Sequence, residues 1–265
     1  MCGIFGVALL QGHKISDPKI LKIVLRRLFE ESKKRGTDAS GIAFATDEHI
    51  SVIKHNIDAS RFIKAKFYEE AERVHIDKNF KNLRIMIGHT RSRTKGTPTD
   101  RNNNHPVVAN RVIGVHNGNI SNDDELFDEY TSQFPDNFER RGRVDTEIIF
   151  RLLDHYRHTV RLQMYDTILT TNGLIRGSYA CAFVDAGEPW MLYLFKGWSP
   201  TDINYYPEYG LLIFASSRVF IYSATKGFNF GSAVSIGYEK ESCMSINTIS
   251  NKTNVFDLKR EGTFA

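Results

Sequence analysis

Apolar positions along the chain fall into two rhythms. Ile4 to Leu10 is a nearly unbroken apolar run, short enough to read as a buried strand over residues 2–10. His13 to Pro18 reads as a turn, with Asp17 placed to cap a helix and Pro18 at its first position. Ile20, Leu21, Val24, Leu25 and Leu28 then recur at helical spacing, and Gly36 is expected to stop the run. Short strands are expected near 41–45 and 50–54, a helix over 59–73, and a strand from Leu83 to Ile87. From Gly88 to Asn110 the chain turns polar and carries two prolines; loops of that length are usually functional or disordered. A strand returns at Arg111–Val115. Asn122 is placed to cap a short helix through Tyr130, Asp145–His158 has helical periodicity, and a further helix is expected at 160–171. Strands are expected near 178–185, 190–196, 211–215 and 219–223, and Val234–Leu258 alternates as sheet strands do.

Strands in adjacent sets with helices grouped between them favour α+β layers over a parallel βαβ sheet. No repeat or linker interrupts the chain, so residues 1–265 are expected to form a single domain, with Arg260–Ala265 fraying.

Composition narrows the classes. A hydrophobic share of 41% supports a substantial core, and a net charge of +4 without any block of like charges gives no sign of a nucleic-acid tail. The basic clusters Lys33–Arg35 and Arg140–Arg143 read as a helix end and a solvated loop. No apolar run approaches the ~18 residues of a membrane span, and the start lacks the features of a signal peptide. Three scattered cysteines make neither a disulfide framework nor a metal motif, which fits a reducing cytoplasm.

One of those cysteines changes the picture. Cys2 follows the initiator, so removal of Met1 leaves a thiol and a free α-amine on one residue. The amine, with a pKa near ~8, can take the thiol's proton. A bland reading remains for these ten residues alone, because buried cysteine commonly acts as a small hydrophobe.

After Cys2 come RGTDASG at 35–41, GHTRSRTKG at 88–96, HNGNI at 116–120 and VDTE at 144–147. In this order, the chain resembles the class II glutamine amidotransferases over nearly its whole length, from Cys2 to about Leu258. Among them the glutaminase domain of glucosamine-6-phosphate synthase is most similar, with the amidophosphoribosyltransferase glutaminase second. The resemblance implies an N-terminal nucleophile hydrolase fold: a four-layer αββα sandwich of two antiparallel sheets. It implies hydrolysis of the L-glutamine side-chain amide, with Cys2 as nucleophile and with the Asn117 carboxamide and Gly118 N–H stabilising the oxyanion. By the same resemblance, Arg91 binds the substrate carboxylate, Asp145 its ammonium, and Thr94 the same end. Arg35 and Gly36 lie near the nucleophile's amine in a supporting role. His89, His105 and His116 are expected to brace the loop by hydrogen bonds, with no metal or cofactor. His155 and His158 are expected in solvent.

The chain departs from the family where Ser92 and Lys95 replace a usual tryptophan and histidine, which bears on how the site closes. Arg93 and Lys95 are expected to be solvated. The length is expected to leave no room for a synthase domain. The expected partner is therefore a separate ammonia-accepting synthase subunit, and self-association stays open. Two alternatives stand beside this reading: an amidohydrolase for another γ-glutamyl or amide substrate, and a catalytically silent glutamine-binding subunit.

Overall fold

The computed structural model describes residues 2–135 and 138–259, so Met1 and the fraying expected at 260–265 lie outside the described residues. In chain order the strands are β1 (Gly3–Leu9), β2 (Ala39–Thr46), β3 (Ile50–His55), β4 (Leu83–Arg91), β5 (Val107–Ala109), β6 (Val112–Ile120), β7 (Gly177–Asp185), β8 (Glu188–Lys196), β9 (Asp202–Tyr206), β10 (Leu211–Ala215), β11 (Val234–Ser235), β12 (Ser242–Asn247) and β13 (Lys252–Asp257). The helices are α1 (Pro18–Ser32), α2 (Ala59–Phe62), α3 (Lys66–Ala71), α4 (Asp123–Gln133), α5 (Thr146–Asp154), α6 (Met164–Leu174) and α7 (Arg218–Thr225).

The strands pair antiparallel into two sheets. One runs β11-β9-β10-β1-β4-β2-β3, the other β13-β12-β8-β7-β6-β5. Period two sorts their side chains. Ile4, Ala8, Ile85, Ile87, Ile113, Val115, Ala180, Ala182 and Phe214 meet between the sheets. Phe5, Val7, Leu9 and Met86 point the other way, into a core with α1, α2, α3 and α7. The outer face of the second sheet packs on α4, α5 and α6 through Ile148, Leu152, Phe150 and Ile168. The result is the expected four-layer αββα sandwich.

Helix α1 forms as its sequence predicts. The Lys19 N–H donates to Asp17 Oδ1 at 2.9 Å, Pro18 takes the first position, and Leu21, Val24, Leu25, Leu28 and Phe29 are buried. Phe29 meets Phe5 edge-on at 4.7 Å between centroids, which fixes the helix over β1.

Several elements differ from the sequence expectation. The run at 219–223 is helix α7, not a strand: Phe220, Ile221 and Ala224 are buried at helical spacing, while Val219 and Tyr222 are exposed. Its β-branched and aromatic content hid this. The helix expected over 59–73 breaks after Phe62, which lets Phe62 and Tyr68 both pack on Phe29. It continues past Ala71 as wide turns over Glu72–Lys78. Strand β9 was hidden by its polar Asp202 and Asn204, and α6 sits a few residues later than expected. Asn122 does not cap α4 with its side chain. Its Nδ2 donates to the Leu174 carbonyl at 2.9 Å and its Oδ1 accepts from the Arg176 N–H at 2.8 Å. His155 is buried against Phe134, and His158 Nε2 lies 2.7 Å from Asp185, so neither is in solvent as expected. Among the described residues, no helix is long and apolar enough to cross a membrane.

Candidate active site

Two strands run further than their apolar content predicts. β4 continues through Gly88-His89-Thr90-Arg91, and β6 through His116-Asn117-Gly118-Asn119-Ile120. Period two then does the placing. Residues 2, 89, 91 and 117 continue the inward phase of Ile4, Ile87 and Val115. Cys2, His89, Arg91 and Asn117 are thus carried by the facing inner surfaces of the two sheets, at one end of the sandwich.

Cys2 is half-buried, whereas Cys181 and Cys243 are fully buried. Burial pushes the Cys243 thiol up to about 12 and the Cys181 thiol well above its usual range. The Ser92 N–H donates to Cys2 Sγ at 3.4 Å, and the thiol can donate to the Ser92 carbonyl at 3.4 Å. Burial raises the Cys2 thiol, and Asp145 adds to that. The Ser92 hydrogen bond and the Arg91 charge pull it back. Gly36 ends the helical run as expected: α1 tightens into a last turn over Lys33–Arg35, and Gly36 is extended, its N–H donating to the Lys33 carbonyl at 3.1 Å. Its value is close approach: a Cβ there would lie 2.2 Å from the Arg91 carbonyl carbon. Arg35 reaches away, donating to the Ser216 carbonyl at 3.2 Å.

Asn117 is completely buried, and neither its Oδ1 nor its Nδ2 has a hydrogen-bond partner among the described residues. A buried, unsatisfied carboxamide costs about 1–3 kcal/mol, so it stands out in a well-packed interior. Its neighbour Gly118 adopts φ +147°, and a Cβ there would sit 1.9 Å from the Ser178 carbonyl oxygen. No side chain fits that position.

Asp145 caps α5, as its sequence position suggests. Oδ1 accepts from the Thr146 N–H at 3.0 Å, and Oδ2 accepts from the Ile120 N–H at 2.8 Å. A carboxylate offers about four acceptor sites, so capacity for a cation remains. The next residue, Thr146, gathers two histidines: its Oγ1 lies 2.9 Å from His105 Nε2 and 2.8 Å from His116 Nδ1. His89 stacks on His105 at 3.9 Å and donates from Nε2 to the His116 carbonyl at 3.1 Å. Burial lowers all three, His89 to about 3, His105 well below its ordinary value, and His116 against the pull of Asp145. They are neutral braces between the layers.

Arg91 is 2% exposed, and its fork is filled by the chain itself. Nη1 donates to Asn104 Oδ1 at 2.9 Å, while Nη2 donates to the Lys95 and Gly96 carbonyls at 2.5 and 2.8 Å. Lys95 is not solvated as expected. Its Nζ lies 2.6 Å from Asp123 and 2.7 Å from Asp124, which Arg140 also grips at 3.1 and 2.6 Å. The 92–100 loop is thereby latched to the first turn of α4, and the expected solvated Arg140 is part of the latch. Thr94 is exposed on that loop, apart from the buried cluster.

A glutamine amidotransferase domain model matches residues 89–223, about half of the chain. The chain belongs to the glutamine amidotransferase domain family. Among similar relatives, the glutamine–fructose-6-phosphate aminotransferase (isomerizing) of Pyrobaculum aerophilum is 33% identical over 208 residues, covering 77% of this chain and 31% of that protein. The protein of the same name from Bacillus cereus is 32% identical over 201 residues, covering 76% and 30%. The chain therefore spans about a third of the length of the curated relatives it matches. The fold matches the glutamine phosphoribosylpyrophosphate amidotransferase from B. subtilis with a TM-score of 0.71 at 18% identity, covering 98% of this chain and 50% of that one. The likeness is one of fold: the two antiparallel sheets with helices on both outer faces.

Within this amidotransferase domain, reading the sequence overlooked three supports. Asp38 holds the strand ends: its N–H donates to the Arg91 carbonyl at 2.9 Å, and its Oδ2 accepts from the Arg93 N–H at 2.7 Å. Asn104 orients Arg91, and Thr146 orients two histidines. Asp38 and Thr146 sat inside the quoted motifs, but only tertiary contact gives them these roles.

Proposed function

We propose that residues 1–265 form one class II glutaminase domain that hydrolyses the side-chain amide of L-glutamine through a thioester on Cys2. The observation that carries the reading is the convergence of a half-buried thiol, Arg91, Asp145 and the unpartnered Asn117 carboxamide at one end of the sandwich. The reaction needs Met1 removed. The α-amine of Cys2 takes the thiol proton as Sγ attacks the side-chain carbonyl carbon. The tetrahedral oxygen is held by Asn117 Nδ2 and the Gly118 N–H. The same proton goes to the departing nitrogen, ammonia leaves, and water cleaves the γ-glutamyl thioester to glutamate. Arg91 receives the substrate carboxylate once the 95–96 carbonyls withdraw, Asp145 receives the ammonium, and Thr94 closes over them as the loop rearranges. Arg35 and Gly36 support the nucleophile's end, and His89 and His116 brace the layers; no metal or cofactor enters.

The ammonia then passes to an acceptor enzyme, which we place on a separate synthase subunit in the reducing cytoplasm. Val219 and Tyr222, one turn apart on α7, are strongly exposed and offer an apolar docking patch. Co-elution with synthases encoded nearby tests this, and the absence of any partner that binds or raises activity rejects it.

The primary experiment is intact mass together with glutamate release from glutamine. Matured protein should lack one methionine and turn over, and Cys2→Ala should be folded and inactive. Full activity in Cys2→Ala overturns the mechanism. γ-Glutamyl dipeptides should be poor substrates; preference for them would favour a different amidohydrolase.

A further inference from the structure

A cavity of about 320 Å³, whose lining does not include Cys2, opens where the edge strands of the two sheets, β3 and β5, approach each other. Its wall carries Lys54, Arg101, Arg141 and the carboxylate of Glu147, with Val107 and Val108 as the apolar side. Lys54 is 9% exposed. Its Nζ donates to the Asn104 and Pro106 carbonyls at 2.8 and 2.9 Å. Both acceptors are neutral, and an ammonium has a third proton to give. The Glu147 charge is already spent. Its carboxylate accepts from the Arg141 and Gly142 N–H groups at 2.8 and 2.6 Å and from Arg151 Nε at 3.2 Å. Arg101 has no ion-pair partner among the described residues, and the nearby Asp100 is occupied capping the Asn102 N–H at 2.9 Å. Arg141 bonds the Asn110 carboxamide at 3.1 Å, and its one ion-pair partner among the described residues, the exposed Glu139, is 3.8 Å away.

Three cations therefore line one concavity with a single carboxylate, Glu147, which is already engaged by Arg151 and two backbone N–H groups, and one of the three cations is buried. Like charges held this close repel, and a desolvated ammonium is costly unless paired. Burial, then the charge of Arg101, brings Lys54 down to about 8, against weaker opposing pulls from Glu147 and Asp100. We propose that this cavity is a binding site for a phosphate dianion, either free phosphate or the phosphate of a small monoester. The guanidinium forks of Arg101 and Arg141 match phosphate oxygens, Lys54 supplies the buried donor, and Val107 and Val108 accommodate a short carbon body. The site is independent of the glutaminase reading, because binding is measured without turnover.

The test is calorimetric titration of the whole chain with inorganic phosphate and, separately, glycerol 3-phosphate, at ionic strength fixed with sodium chloride. Saturable one-to-one binding is expected, weakened at least about tenfold in Arg101→Gln/Arg141→Gln, which alters only exposed side chains. Arg218→Gln, at a residue that sits against β9 and β11 at the opposite edge of the same sheet from β3, should bind as the wild type does. Tighter binding of glycerol 3-phosphate assigns the site to monoesters; tighter binding of inorganic phosphate assigns it to the free ion. Absence of saturation by either up to about 10 mM, or equal affinity in the double variant and wild type, overturns the proposal.

Discussion

Acidification should strip stability from the histidine braces in a way that one substitution isolates. His89 is held neutral with its pKa lowered to about 3, whereas in the unfolded chain it returns to its ordinary ~6.5. Between those values the unfolded state binds a proton that the native state refuses. Stability is therefore complete above about pH 6.5 and is lost as pH falls toward 3. For His89 alone the loss is about 1.4 kcal/mol per pH unit once below 6.5, which amounts to about 2 kcal/mol between pH 7.5 and pH 5.0. His105 and His116 add to the slope in the same direction. His89→Gln keeps an N–H that can donate to the His116 carbonyl but has no proton to gain. Urea denaturation at pH 7.5 and 5.0 measures the difference. The wild type should lose about 2 kcal/mol more than His89→Gln over that interval. Equal losses in the two proteins would show that His89 takes up no proton on unfolding and would refute the buried-neutral assignment.

Three further outcomes are expected. Asp145→Asn places an amide donor against backbone N–H groups that now donate to the carboxylate. It should raise the glutamine KM at least about tenfold and lower stability by about 1–3 kcal/mol; an unchanged KM removes Asp145 from substrate binding. Gly118→Ala forces a Cβ to within 1.9 Å of the Ser178 oxygen at positive φ, so the β6–β7 pairing must shift. A loss of at least about 2 kcal/mol in a denaturant melt is expected, and a loss under 0.5 kcal/mol would contradict the described backbone. Lys95→Met releases the loop from Asp123 and Asp124 and should speed alkylation of Cys2 by iodoacetamide several-fold; an unchanged rate would show that the latch does not guard the thiol.

The layered fold was legible because its core strands and α1 carry unbroken or well-phased apolar runs, as at Ile4–Leu10 and Leu21–Leu28. Legibility failed where chemistry and structure compete for the same residues. Gly88–Arg91 and His116–Ile120 look like loop because polar side chains occupy inward strand positions, which only the surrounding sheets make tolerable. α7 failed for the opposite reason: Val219, Phe220, Ile221 and Tyr222 read as strand until α1 is there to receive their helical face. The motif residues were legible as types in order, but Asn104, Asp38 and the Lys95 latch depend on contacts across the fold. No local spacing encodes them.

The filled fork of Arg91 sets a tax on affinity. On the glutaminase reading, substrate can be held only by the fraction of molecules whose own carbonyls have let go of the guanidinium. The observed dissociation constant is then the intrinsic one divided by that fraction, so an open population of about one in a hundred weakens binding about a hundredfold, or about 2.7 kcal/mol. The chain thereby carries a built-in competitor for the substrate carboxylate, tethered a few residues away and never depleted. On the same reading it would keep glutamine apart from an idle thiol, and whatever loosens the loop would set how fast that separation is lost.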